Sequence, residues 1–112
     1  MRRFSMAAGL VLAGLIGAQA AEPVAGAWTT ASGETANIAS CGGAYCITIV
    51  TGKFKGKQIG KMSGTGGSYS GEITDPEADR TYAGSAEVNG ASLKLTGCAL
   101  KVFCKTQTWK KQ

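Results

Sequence analysis

The feature that most constrains this chain is a pair of short segments, residues 68–74 and 81–88, in which small or apolar residues alternate with polar ones. A two-residue period is typical of a strand with one buried face. The six residues between the segments begin with Asp75 and Pro76, which suit the first two positions of a type I turn. The centre of the chain is therefore predicted to be a β-hairpin. The alternating residues are Tyr69, Gly71, Ile73, Tyr82, Gly84, Ala86 and Val88.

Similar segments flank this hairpin and predict eight strands in all. No segment after residue 20 has the periodicity of a helix. Short strands, tight turns and 17 glycines are typical of a strongly curved β-structure. We predict an all-β fold, a small eight-stranded up-and-down antiparallel β-barrel, in preference to a compact sandwich, because closure removes exposed sheet edges. The other predicted strands are Ala25–Ala31, Glu34–Ser40, Tyr45–Thr51, Lys57–Ser63, Ala91–Gly97 and Phe103–Lys111, with Asn89-Gly90 as a two-residue turn.

The first 20 residues differ in character from the rest of the chain. Arg2 and Arg3 precede an apolar run that ends in Ala18-Gln19-Ala20, an order typical of a secretory signal peptide. The alternative is an uncleaved membrane anchor, but the apolar run is shorter than the ~20 residues that span a bilayer. We predict a signal peptide over residues 1–20, cleavage near Ala20/Ala21 and a single barrel domain over residues 21–112. The protein is then periplasmic or secreted, with no transmembrane segment.

The four cysteines of an exported chain are expected to form disulfides. A zinc site is the alternative, but the chain has no histidine and neither close pair has the two-residue gap typical of zinc ligands, so no metal is predicted. If each strand pairs with its successor, the connections alternate between the two ends of the barrel. Bridges from end to end would exceed the ~7 Å Cα limit for a disulfide. The predicted bridges are Cys41–Cys46 at one end and Cys98–Cys104 at the other.

Short motifs occur in one order along the chain after the predicted signal peptide. They are Gly26-Ala27-Trp28, Cys41-Gly42-Gly43-Ala44-Tyr45-Cys46, Tyr69-Ser70-Gly71-Glu72-Ile73-Thr74-Asp75-Pro76, Thr81-Tyr82-Ala83-Gly84, Gly97-Cys98 and Gln107-Thr108-Trp109. Together they resemble the bacterial exported proteins catalogued as domain of unknown function 2147. The resemblance implies no particular activity.

A looser similarity is to lipocalin-type barrels, in which a Gly-x-Trp on the first strand packs under a basic residue on the last. Trp28 and Lys111 occupy the corresponding positions. A cation near an aromatic face contributes about 0.5–1 kcal/mol at an exposed site. We predict that this pair closes one end of the barrel, which leaves the end with the charged loops as the mouth.

Four side chains, Tyr69, Tyr82, Gln107 and Trp109, are the predicted lining of the interior. Eight strands enclose just enough space for side chains or for one small ligand. The interior is therefore either a filled core in which the tyrosine hydroxyls bond to Gln107, or a pocket for a small apolar or amphipathic compound.

The composition gives little support to catalysis, because a chain without histidine lacks the usual proton acceptor of triads and general-base schemes. We interpret the three acidic residues Asp75, Glu77 and Asp79 as turn residues. Alternatively, one of them is the acid or base of a carboxylate-dependent cell-envelope enzyme.

The basic loop 53–57 is either solvated or faces an anionic surface. Without Arg2 and Arg3 of the predicted signal peptide, 10 basic residues face 7 acidic ones, and this net charge of +3 is too small to indicate nucleic acid as a partner. We predict a non-catalytic barrel without cofactor that binds a small apolar ligand, an envelope component or a protein partner.

Overall fold

The computed structural model describes residues 22–99 and 103–112, which form a closed barrel of eight antiparallel strands. The strands are β1 (Gly26–Thr29), β2 (Thr35–Ser40), β3 (Tyr45–Ile49), β4 (Gln58–Thr65), β5 (Ser68–Asp75), β6 (Arg80–Asn89), β7 (Ser92–Ala99) and β8 (Phe103–Lys111). Each strand pairs with its successor, and β8 pairs with β1. The predicted fold class and strand order are confirmed. The predicted signal peptide lies outside the described residues.

The barrel has two different ends. The β1–β2, β3–β4 and β5–β6 connections lie at one end, which we call the mouth. The β2–β3, β4–β5 and β6–β7 turns lie at the other, the closed end, together with the lead-in to β1. Within the described part of the chain, no helix is long and apolar enough to cross a membrane.

The predicted strand limits agree with the structure to within two residues. β1 ends at Thr29 rather than at Ala31, because Thr30 enters a turn in which its Oγ1 accepts a hydrogen bond from the Glu34 amide (3.2 Å). The predicted Asn89-Gly90 turn is wrong by one residue. Asn89 pairs with Ser92 inside the ladder, so the turn consists of Gly90 and Ala91. Gly90 alone supplies the positive φ that this turn requires (59°).

Both predicted disulfides are present. Cys41 and Cys46 flank the β2–β3 tip with Cα atoms 5.9 Å apart. Cys98 and Cys104 are direct partners across β7 and β8, with Cα atoms 4.0 Å apart. Each bridge therefore joins two neighbouring strands at one end of the barrel, as the nearest-neighbour winding requires.

The core consists of inward-facing residues from all eight strands. Alternation along each strand places these side chains inside and polar ones outside. The largest fully buried side chains are Trp28, Trp109, Ile38, Ile47 and Leu93.

Candidate functional site

A cavity of about 500 Å³ opens at the mouth of the barrel. This volume lies within the ~300–1,000 Å³ range of small-molecule sites. The larger apolar side chains that line it are those of Ile49, Phe54, Ile59, Ile73, Leu95 and Trp109.

Three of the four predicted lining residues meet at this cavity. Tyr82 of β6 and Gln107 and Trp109 of β8 all line it. The indole Nε1 of the buried Trp109 donates a hydrogen bond to Gln107 Oε1 (3.1 Å), which engages the amide oxygen. Tyr69 does not line the cavity and lies nearer the closed end.

A stretch of small side chains on β7 gives the cavity part of its volume. Gly97 and Ala99 line it between Tyr82 on one side and Lys105 on the other. A Cβ atom built on Gly97 would have only Tyr82 Cβ within 4 Å, at 3.9 Å, so the wall is open at this point. Neither Gly97 nor Lys105 was predicted as a site residue. The signal was available, since Gly97 continues the alternation of Leu93 and Leu95, and Lys105 that of Gln107 and Trp109.

The rim of the mouth carries charges of both signs. Lys53 Nζ lies 3.4 Å from Glu77 Oε2, and Lys57 Nζ lies 3.6 Å from Asp79 Oδ1. These pairs join the β3–β4 loop to the β5–β6 turn. Phe54, between the two lysines, is partly buried against the core and lines the cavity, with Lys53 Nζ 5.3 Å from its ring centroid.

The predicted pair, Trp28 and Lys111, lies at the closed end. Lys111 is the ladder partner of Trp28, and its Nζ lies 5.0 Å from the Trp28 ring centroid. The same ammonium group donates to the carbonyl oxygens of Pro23 (3.3 Å) and Ala25 (3.2 Å). Trp28 is fully buried, and its Nε1 donates to the Val24 carbonyl oxygen (2.9 Å). The lead-in to β1 is thus held across this end.

One bacterial family, described as an uncharacterized protein conserved in bacteria (DUF2147), matches residues 53–111. This stretch is more than half of the chain and includes all of β4 to β8. The chain belongs to the DUF2147 family. The resemblance in sequence motifs is confirmed, although the motifs around Trp28 and between Cys41 and Cys46 lie outside the matched stretch. No curated protein and no solved structure matches the chain.

In this DUF2147 barrel, Tyr69 belongs to the closed end. Its hydroxyl donates to Glu22 Oε1 (2.8 Å) and accepts from the Gly67 amide (3.2 Å). The same Glu22 oxygen accepts from the Gly66 amide (2.7 Å). Tyr69 therefore does not make the expected hydrogen bond to Gln107. The lead-in brings the Glu22 carboxylate to the Tyr69 hydroxyl, and the Gln107 amide oxygen accepts from the Trp109 indole instead.

The environment of Tyr69 is expected to make the DUF2147 barrel less stable at alkaline pH. Burial, followed by the hydrogen bond to Glu22, raises the pKa of Tyr69. Because the folded state favours the neutral phenol, its contribution is complete below the unfolded pKa of about 10 and is lost as pH rises through the higher folded pKa. We expect the melting temperature to fall above about pH 10, and less steeply in Tyr69→Phe. Thermal unfolding measured from pH 8 to 11 by circular dichroism checks this, and equal slopes in both proteins would contradict it.

The three carboxylates of the central turn do not form a compact cluster. Asp75 Oδ1 accepts from the backbone amides of Glu77 (2.9 Å) and Ala78 (3.5 Å), which is the side-chain turn contact that its position predicts. The side chains of Glu77 and Asp79 are 68% and 83% exposed. Asp75 and Glu77 nevertheless reach the cavity rim. Among the residues that the structure describes, no group of three or more His, Cys, Asp or Glu side chains is arranged to hold a metal ion.

Proposed function

We propose that this DUF2147 protein is an exported, non-catalytic barrel that binds a small apolar or amphipathic ligand in the mouth cavity. The observation that carries the proposal is an open space of about 500 Å³ with an apolar wall and a few polar groups. That combination is typical of sites that bury most of a small ligand while a few polar contacts orient it. A ligand would enter through the mouth, because the lead-in and the Trp28–Lys111 pair occupy the closed end.

Export is supported by the sequence before residue 21 and by the cysteines. The order of two arginines, an apolar run and Ala18-Gln19-Ala20 is that of a secretory signal. All four cysteines are paired in disulfides, which persist in oxidising compartments and are rare in the cytosol. A periplasmic or secreted location accounts for both features.

A binding role accounts for the polar groups of the mouth better than the carboxylate-dependent enzyme does. Asp75 is engaged by two backbone amides, and Glu77 is paired with Lys53. A general acid or base usually acquires its reactivity from burial or a like-charge neighbour, whereas both of these groups are exposed. The enzyme alternative would need substrate binding to reorganise the rim before either carboxylate reached a reacting group.

Filling the cavity is the most direct test of ligand binding. Phenylnaphthylamine, an uncharged apolar dye, is expected to bind the full-length chain saturably and to gain fluorescence. Gly97→Leu places a side chain into the open part of the wall and should weaken dye binding at least about tenfold, because ligand and side chain would have to overpack the same space. The melting temperature should stay close to that of the wild type.

The matched control is Thr96→Val, the neighbouring residue on the outer face of β7, where Thr96 Oγ1 bonds to Thr106 Oγ1 (3.1 Å). This variant should bind the dye as the wild type does. The proposal fails if the wild-type barrel does not bind the dye, or if Gly97→Leu and Thr96→Val bind it equally well.

A further inference from the structure

We propose that the ligand of the mouth cavity is an amphiphile with a carboxylate head, bound by Lys105 together with Tyr82 and Gln107, and an apolar tail that lies along Trp109. The inference rests on the proposed function, since it assigns the chemistry of that same cavity. It adds a ligand class and a residue, Lys105, that selects it.

The first argument is the arrangement of donors around Gly97. Lys105 is the ladder partner of Gly97, and Gln107 is that of the adjacent inward residue Leu95. Tyr82 lies on the other side of β7, and its Cβ is the nearest heavy atom to the open Gly97 position. The result is a notch whose floor lacks a side chain and whose lining includes Lys105, Tyr82 and Gln107, side chains that carry an ammonium group, a phenol hydroxyl and an amide NH₂. Groups of this kind donate hydrogen bonds to an anion.

The second argument is the charge balance of the mouth. The rim lysines Lys53 and Lys57 each have a carboxylate partner. No carboxylate of residues 22–99 or 103–112 lies within 4.0 Å of Lys105. The remaining stretches, residues 1–21 and 100–102, contain no aspartate or glutamate in their sequence. Lys105 is thus a cation at the cavity that the side chains of this chain leave available to a ligand.

Two of the three carboxylates that line the cavity are engaged elsewhere. Asp75 accepts two backbone hydrogen bonds, and Glu77 pairs with Lys53. Glu34 also lines the cavity, but its carboxylate packs against Gly52 of the β3–β4 loop. A cationic head would have to use Glu34, which is the rival arrangement that the experiment below distinguishes.

The third argument is the direction of the polarity along β8. Lys105, Gln107 and Trp109 follow one another on the inner face, from the mouth towards the interior. Trp109 is buried beside Leu93 and near Leu95. A ligand whose head meets Lys105 therefore extends its tail from the charged rim towards the apolar part of the cavity. Such a ligand is a single-chain or aryl carboxylate rather than a wholly apolar compound.

The test compares three ligands with the same alkyl chain and different heads: decanoate, decanol and decyltrimethylammonium, each below its micelle-forming concentration. Binding to the disulfide-bonded full-length chain is measured by calorimetry at neutral pH and fixed ionic strength. Decanoate is expected to bind about tenfold more tightly than decanol, as a charge-assisted hydrogen bond provides. Decyltrimethylammonium should bind most weakly.

Lys105→Gln removes the charge while keeping much of the side-chain length, and it should bring decanoate to the affinity of decanol. The matched control is Lys110→Gln, because Lys110 lies on the same strand, is exposed and contacts Ser92 Oγ (3.3 Å) rather than the cavity. This control should keep the preference for decanoate.

Equal affinities for decanoate and decanol, with no effect of Lys105→Gln, would overturn the head-group assignment and leave the cavity function standing. Tightest binding of decyltrimethylammonium would also overturn it, in favour of Glu34. If none of the three binds and phenylnaphthylamine also fails to bind, both this inference and the proposed function fall.

Discussion

Replacing Trp28 with alanine is expected to lower the free energy of unfolding by about 3–5 kcal/mol, the range for removing a buried aromatic side chain. Trp28 is completely buried and connects three parts of the closed end: the lead-in, β1 and the C-terminal end of β8, where Lys111 is its ladder partner. Because small domains are stable by only about 5–15 kcal/mol, this loss is a large fraction of the total. Urea denaturation followed by circular dichroism measures it.

The companion variant Lys111→Met separates the indole from the cation above it. It removes the ammonium group that lies over the Trp28 ring and donates to the Pro23 and Ala25 carbonyl oxygens, and keeps an apolar stem. This change should cost about 1 kcal/mol, because the cation is exposed to solvent. A Trp28→Ala loss no larger than that of Lys111→Met would contradict the view that the buried indole anchors the closed end.

Much of the barrel could be predicted because its determinants are local. The alternation around Tyr69 and Tyr82 specifies a buried face for each strand of the central hairpin, and short turns leave a strand few neighbours except its successor. Once that order is assumed, the positions of Cys41 and Cys98 at opposite ends follow from counting connections. The two disulfides are therefore consequences of the winding, and their presence agrees with it.

The contents of the barrel could not be predicted in the same way, because they depend on contacts between distant segments. Glu22 reaches Tyr69 across 47 residues of sequence, so no local pattern reveals that Tyr69 is sealed into the closed end. The cavity includes Gly97 of β7, whose missing side chain leaves a space because Tyr82 on the neighbouring strand β6 does not fill it. A glycine that leaves a space and one that permits close packing look the same in a sequence.

Gly71→Val is expected to destabilise the barrel by about 3 kcal/mol, at the upper end of the usual cost of overpacking. Gly71 of β5 is the ladder partner of Met62 in β4. A Cβ atom at this position would collide with the Lys61 carbonyl oxygen and would lie 2.9 Å from Met62 Cα. Both are backbone atoms, so the contact can be relieved only by moving β4 away from β5. Chemical denaturation of the disulfide-bonded protein measures the loss.

The matched change at Gly97 distinguishes close packing from a general need for glycine in a curved wall. Gly97→Val adds the same atoms to the inner face of β7, where the new Cβ would meet only Tyr82 Cβ at an ordinary 3.9 Å. Its stability should stay within about 1 kcal/mol of the wild type, because the added side chain enters open space and restricts the unfolded chain. If both variants lost about the same stability, curvature rather than the approach of β4 to β5 would explain Gly71. The cavity would then be a less open space than the proposed ligand requires.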